Sequence, residues 1–302
     1  MTPHSPTPLL AAETPTCERE YEGVSARTGG VGGDGAAVLD DIEARPGSTT
    51  SLLRTLIGLY LRPLGGRIPS AALVRLAGDL GIPAARARTA ITRLKQRGLL
   101  LAAPDGGYAL NPAALPMLER GDRRIFAVRT MAAGDEWLLV SATIPETRRD
   151  LRHQLRRRLQ FLGAGAVAAG LWILPGHLAD EAEQLLAELD ARTYTTLFRT
   201  SDPVPAEPLA GAAARWWDLD ALRAEHERFL ASFADLEQAE PFAAYVRLID
   251  SWRVLPYVDP GLPSALLPDD WPGERSVREF ARLSRALAPA ALAHAQNAAG
   301  ES

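Results

Sequence analysis

Three short stretches of helical periodicity, each closed by glycine or proline, stand in a row within residues 48–112, and two β-type stretches around a turn follow them. That succession leaves few folds open. Ser51–Arg62 carries Leu52, Leu53, Leu56, Ile57, Leu59 and Tyr60, a broad apolar helical face. Ser48 to Thr50 offer N-caps, and Pro63 with Gly65 and Gly66 ends the helix. Ser70–Leu80 repeats the pattern with Leu73, Val74, Leu76, Ala77 and Leu80, and Gly81 can take the left-handed conformation that stops it. Pro83 suits the first turn of a third helix, which runs to Arg97 with Ala84, Ala87, Ile91 and Leu94 inward and Gly98 as its stop. Leu99–Ala103 and Tyr108–Asn111 read as strands around Pro104-Asp105-Gly106-Gly107. Helix, helix, tight turn, helix and hairpin together predict a winged helix-turn-helix over 48–112.

Charge singles out the same stretch. It carries nine basic and two acidic residues in a chain whose net charge is −4. Residues 1–47 and 201–302 are net acidic, and 113–200 are close to neutral. A basic block on a helical DNA-reading motif is the electrostatic footprint of a polyanion partner. Only Lys95 is lysine and the other 32 cations are arginine, so each single arginine carries less weight as a bidentate reader than its position does. On the third helix the outward residues are Arg86, Arg88, Thr89, Thr92, Arg93 and Gln96. Arg86, Thr89 and Arg93 share one stripe at i, i+3 and i+7. A major groove accepts such a helix, where Arg pairs with guanine, Gln with adenine, and Thr meets the thymine methyl or a phosphate. Lys95, Arg97, Arg62, Arg67 and Arg75 are assigned to phosphates, which position a protein without reading sequence.

The rest of the chain is organised around this block. Residues 1–47, rich in Pro, Thr, Gly and acid, read as a disordered tail. Asn111–Arg124 reads as a proline-containing connector. Within 125–200, strand Trp137–Ile144, helix Thr147–Leu162, the Gly170-centred apolar run Ala166–Leu174, helix His177–Asp190 and strand Tyr194–Arg199 follow in the order of a ferredoxin-like α/β sandwich. Six arginines between 148 and 158 line its first helix, either as a solvated face or as further phosphate contacts. A Pro/Ala linker spans 201–213. A helical C-terminal domain over 213–288 then holds Trp217–Leu230, Phe242–Val254 and Asp270–Leu287, with a Pro-rich loop Pro256–Pro272 and fraying beyond 289. The expected fold is therefore α+β and multidomain.

Exclusions follow from what is missing. A single cysteine, Cys17, forbids an internal disulfide and argues against a Cys-based zinc site. His4, His153, His177, His226 and His294 are scattered at no metal-ligand spacing, so no metal and no cofactor are expected. No nucleophile elbow, P-loop or dinucleotide fingerprint occurs. No apolar run approaches the roughly 18 residues of a membrane span, and a cytoplasmic protein is expected. The aromatic-rich C-terminal region, with Trp252, Tyr257 and Trp271 beside Arg247 and Arg253, is the candidate effector pocket, since such sites are mostly apolar with a few polar anchors.

Across about residues 50–287 the chain resembles the PaaX family, the repressors of phenylacetic acid catabolism. The resemblance rests on Ser51 to Leu56, Tyr60-Leu61-Arg62-Pro63 and Ala87 to Leu94. It continues in the arginine-rich Leu155–Gly163 with Gly170-Leu171-Trp172, in Asp259 to Pro263, and in Leu266 to Gly273, the most specific segment. It implies a winged helix, a ferredoxin-like middle domain and a helical C-terminal domain. It also implies a homodimer on a palindromic double-stranded DNA operator, released by a small-molecule effector, an aryl-CoA thioester such as phenylacetyl-CoA. Two departures stand out. Where the family often carries His-Glu-Tyr-Arg, this chain has Asp250-Ser251-Trp252-Arg253. The middle domain also resembles small CRISPR-associated endonucleases, whose metal-binding aspartate ends the first strand, yet Val140 to Pro145 contains none. A ligand-responsive repressor is expected rather than an enzyme. A metal-dependent nuclease or hydrolase and a constitutive DNA binder remain the rival readings.

Overall fold

A computed structural model describes residues 45–104, 106–232 and 239–300. The acidic tail, apart from its last residues, and Asp105 of the hairpin turn lie outside the described residues.

The first helices form where the periodicity puts them. α1 (Thr49–Tyr60) is capped by the Ser48 hydroxyl, which accepts from the Ser51 amide at 3.3 Å. α2 (Ser70–Asp79) ends at Gly81, whose φ of 78° only glycine adopts readily. α3 (Ala84–Gln96) follows Pro83. Leu53, Leu56 and Ile57 of α1, Leu73 and Leu76 of α2, and Ile91 and Leu94 of α3 are fully buried against one another. The hairpin β2 (Leu100–Ala102) and β3 (Tyr108–Leu110) gains a strand that the sequence reading lacks, β1 (Arg67–Ile68), in the antiparallel order β1-β3-β2. Two residues are too short to show a period, but the pairing explains Gly107. A Cβ there would stand 2.5 Å from the Ile68 carbonyl oxygen.

The connector after the hairpin is ordered. A 3₁₀ turn and α4 (Leu115–Phe126) occupy most of Asn111–Arg124, because a proline at the start of a helix costs no hydrogen bond. The middle segment runs β4 (Trp137–Ala142), α5 (Arg149–Phe161), β5 (Gly165–Ala168), β6 (Leu171–Pro175), α6 (Ala179–Glu188), β7 (Thr195–Thr200). Its antiparallel sheet has the order β5-β6-β4-β7, the ferredoxin-like arrangement. Leu151, Leu155 and Leu159 of α5 and Leu185 and Leu186 of α6 cover one sheet face over Leu138, Val140, Trp172 and Leu174. Trp137 and Ile173 point to the other face, where they meet Trp217, Leu219 and Leu262.

Two expectations about the C-terminal part need correction. The 201–213 linker contains the start of α7 (Leu209–Trp216), whose Ala212 and Ala213 are fully buried. After α8 (Leu219–Ala231), α9 (Pro241–Trp252) and α10 (Leu255–Val258), the last helix, α11 (Gly273–Gly300), does not fray beyond 289. Pro289 inside it forfeits a hydrogen bond, at a cost of about 3 kcal/mol. Packing overrides that cost: Ala291, Ala295 and Ala298 are buried, the His294 ring stacks on Phe242 at 4.7 Å, and His294 Nε2 reaches Asp79 Oδ2 of α2 at 2.9 Å. Val246, Leu248 and Trp252 of α9 and Phe280 and Leu283 of α11 share one apolar core with α1, α2 and α3. Residues of α1 to α3 and of α9 and α11 therefore bury a common interior, while the sheet of the middle segment keeps its own core on one face and shares the other with Trp217, Leu219 and Leu262. Among the described residues no helix is long and apolar enough to cross a membrane.

Candidate nucleic-acid interface

α3 buries Ala87, Ala90, Ile91 and Leu94, and this fixes the opposite face toward solvent. Arg86, Arg88, Thr89, Thr92, Arg93 and Gln96 are all exposed, as are Lys95 and Arg97 at its C-terminal end. Among the described residues, Arg86, Arg88 and Arg93 form no ion pair. At about 1.5 Å rise per residue, the seven steps from Arg86 to Arg93 cover roughly 10 Å, the length of about three base steps. The two threonines are more restricted than their side chains suggest. The Thr89 hydroxyl donates to the Ala85 carbonyl at 3.0 Å and the Thr92 hydroxyl to the Arg88 carbonyl at 2.9 Å. Their methyl groups and an oxygen lone pair are what remain for a partner.

The five residues assigned to phosphates divide. Arg67, on the exposed side of β1, faces solvent beside Lys95 and Arg97 in the exposed set. Arg62 is half-buried, and Arg75 is exposed with one bond to protein. Arg62 binds Asp122 with both terminal nitrogens, at 2.5 and 3.0 Å, and also donates to the Gly58 carbonyl at 3.0 Å. Arg75 donates to the Ala298 carbonyl, tying α2 to the end of α11. A guanidinium with both terminal nitrogens on protein acceptors has little left for a phosphate, so the assignment of Arg62 to the backbone of DNA does not fit its geometry, whereas exposed Arg75 keeps most of its donors.

Of the candidate effector residues, Arg253 and Tyr257 line one cleft, while Arg247, Trp252 and Trp271 lie outside its lining. Arg247 is exposed but donates to the Leu80 carbonyl at 3.0 Å, stapling α9 to the end of α2. Trp252 is a core residue, 1% exposed; it stacks on Phe280 at 4.5 Å and donates from Nε1 to the Ile125 carbonyl at 3.0 Å. Trp271 stands apart, edge-on to His226 and under the Arg223 guanidinium. Tyr257 stacks on Phe161 at 5.3 Å, and burial raises the pKa of its phenol. Arg253 is buried and ion-paired with Asp250 at 3.2 Å.

Asp250 is the centre that sequence reasoning missed. It is 1% exposed and accepts from the Gly47 amide at 2.6 Å, the Thr55 hydroxyl at 3.0 Å, the Ser51 hydroxyl and Arg253. Arg253 also donates to the Ser51 oxygen at 2.7 Å. Arg54 lies buried beside them. Its pKa falls to about 10 because burial strips its water and Arg253 repels it. A signal for Arg54 was present, since apolar residues surround it on nearly every side of α1, and a helix apolar all round is buried all round.

Three family models match this chain: the PaaX-like protein over residues 48–113, the PaaX protein central Cas2-like domain over 130–211, and the PaaX-like protein C-terminal domain over 217–297. The chain is 28% identical over 268 residues to the transcriptional repressor PaaX of Escherichia coli (strain K12), covering 83% of this chain and 84% of that one. Among solved structures it resembles an uncharacterized protein from Mycobacterium tuberculosis, at 26% identity and a TM-score of 0.57, over 82% of this chain and all of that one. The chain belongs to the PaaX family of transcriptional repressors.

Proposed function

We propose that this chain represses transcription by laying α3 in the major groove of a double-stranded operator, as a winged helix-turn-helix spanning 48–112. The carrying observation is the contrast in pairing. Among the described residues Arg86, Arg88 and Arg93 lie solvent-exposed on one helix without ion pairs, whereas Arg62 is occupied by Asp122 and the Gly58 carbonyl. Exposed cations kept free of partners suit a polyanion. Arg67 on β1 and Lys95 and Arg97 at the end of α3 flank the reading face as phosphate contacts. The protein acts as a homodimer on a palindromic site. An acyl-CoA thioester of an aromatic acid, phenylacetyl-CoA first, releases it, and the regulated genes serve phenylacetate or related aromatic-acid catabolism. Support for the effector is the family to which the chain belongs, and residues 213–288 form the sensing part.

The test is a gel shift with the chain's own upstream region and its neighbouring promoters, with and without phenylacetyl-CoA. Nanomolar binding to one or two of these fragments, weakened by the thioester, is the expected result. Equal affinity for every fragment would overturn the repressor reading, and binding indifferent to all thioesters would overturn the effector.

A further inference from the structure

The junction of α1, α4 and α9 holds a cleft of about 70 Å³, walled by Met117, Ile125, Phe126 and Ile249, with Arg54 and Arg253 at its border. At roughly 10–15 Å³ per water this is room for about five waters. It suits the head of a small organic acid.

Among the described residues, charge around the cleft does not balance. Arg62 and Asp122 neutralise each other, and Asp250 is engaged by Arg253. Arg54 has no carboxylate of its own among the described residues. One terminal nitrogen donates to the Met117 sulfur at 3.4 Å, and the other, Nη1, is buried without any hydrogen-bond partner. Only 9% of Arg54 is exposed. A guanidinium buried against thioether and leucine, beside a second guanidinium, is a costly arrangement in an empty protein. An anion in the cleft would cancel that cost with a charge-assisted hydrogen bond.

We propose that this cleft binds a small carboxylate with an apolar body, the carboxylate pairing with Arg54 and the body lying against Met117, Ile125 and Phe126. A thioester carbonyl is uncharged and would leave Arg54 without an anion, so the site selects the free acid. The cleft joins α1, which packs against α3, to α9 of the C-terminal segment. Occupancy therefore bears directly on how the reading helix is held, and this consequence alone rests on the repressor reading.

The experiment uses the full chain. Phenylacetate, benzoate and acetate are titrated by calorimetry, with phenylacetamide as the neutral analogue and phenylacetyl-CoA as the thioester. The acids should bind, phenylacetamide should bind at least about tenfold more weakly, and Arg54→Met should weaken the acids by about 10- to 100-fold, the loss of one charge-assisted contact. Arg54→Met should also melt at a higher temperature than the ligand-free wild type, because it removes an uncompensated buried charge. Arg54→Lys keeps the charge and should retain part of the affinity, which guards against misreading a folding defect. Unchanged phenylacetate affinity in Arg54→Met, equal binding of phenylacetamide, or no acid binding up to about 10 mM (a free energy of about −2.7 kcal/mol) would each overturn the proposal. Operator binding is read separately by gel shift without ligand, so a failure of the repressor reading appears there and leaves the calorimetry standing.

Discussion

α1 and α3 sit in the same small unit and both carry arginine, but under opposite conditions. On α3 the guanidiniums of Arg86, Arg88 and Arg93 stand in water, where an unpaired charge costs little and stays free for a partner. On α1, Arg54 is taken out of water into a cluster organised by Asp250 from the far end of the chain. Position on a helix, rather than residue type, decides whether an arginine is a ready contact or a stored cost. The exposed set should govern affinity for DNA and leave stability alone. The buried set should govern stability and the link between the two ends of the chain.

The hardest test of this contrast is Asp250→Ala. It takes the Asp250 carboxylate away from Arg253 and from beside Arg54, and removes the acceptor of Ser51, Thr55 and Gly47. Breaking a buried pair from one side costs about 3–5 kcal/mol. Urea unfolding should show a midpoint lowered to match, with an unchanged slope. A loss below about 1 kcal/mol would mean that the cluster is wetter than its burial implies.

Next in size are Arg88→Ala and Arg93→Ala. Each should lose about 1–3 kcal/mol of specific operator binding if it pairs bidentately with a base. Neither should shift the melting temperature, since neither side chain touches the core. Operator affinity preserved in both variants would remove α3 from the interface. A fall in stability equal to the fall in binding would erase the distinction between the two arginine populations.

Much of this arrangement was legible in the sequence. The three helices, the hairpin, the ferredoxin-like order and the outward face of α3 all follow from local periodicity and from glycines at turns, which act over a few residues. Other features depend on contacts between distant residues. Arg62 reads as a phosphate contact until α4 brings Asp122 beside it, 60 positions along the chain. Pro289 reads as the end of a helix until the α2 surface supplies a reason to continue. Trp252 reads as a ligand-pocket aromatic until Phe280 and Phe229 close over it at 4.5 and 4.9 Å. Asp250 looks like a family motif gone missing. In the fold it is a buried acceptor serving four donors, three of them from residues 47–55, about 200 positions away.

Salt titration sharpens the comparison further, because it separates arginines that face DNA from arginines that face protein. Each phosphate contact adds about 0.9 to the magnitude of the log–log slope on duplex DNA. Arg67→Ala should flatten the slope by about that amount. Arg62→Ala should leave it alone and lower stability instead, through the loss of the Asp122 and Gly58 contacts. An Arg62→Ala slope as shallow as that of Arg67→Ala would put Arg62 back at the phosphate backbone.

The smallest effect extends the buried-cation argument from arginine to histidine. His177 follows β6 in a 3₁₀ turn, and burial, with Arg129 and Arg124 nearby, depresses its pKa from 6.5 to about 4; Asp135 opposes the shift. Between those values the unfolded chain takes up a proton that the folded chain refuses. Stability contributed by the neutral ring is therefore complete above pH 6.5, declines as the pH falls, and is gone once it passes about 4. The ring is only half-buried, so solvent screening should hold the loss to about 1 kcal/mol. His177→Gln keeps a polar side chain and removes the titration. Unfolding free energies of the two proteins, compared from pH 7 down to 4, should diverge steadily in favour of the variant's flatter profile, because the carboxylates that titrate in the same window are common to both. Parallel profiles would mean that His177 takes its proton at the ordinary value, and that two neighbouring guanidiniums matter less to a half-buried ring than one does to Arg54.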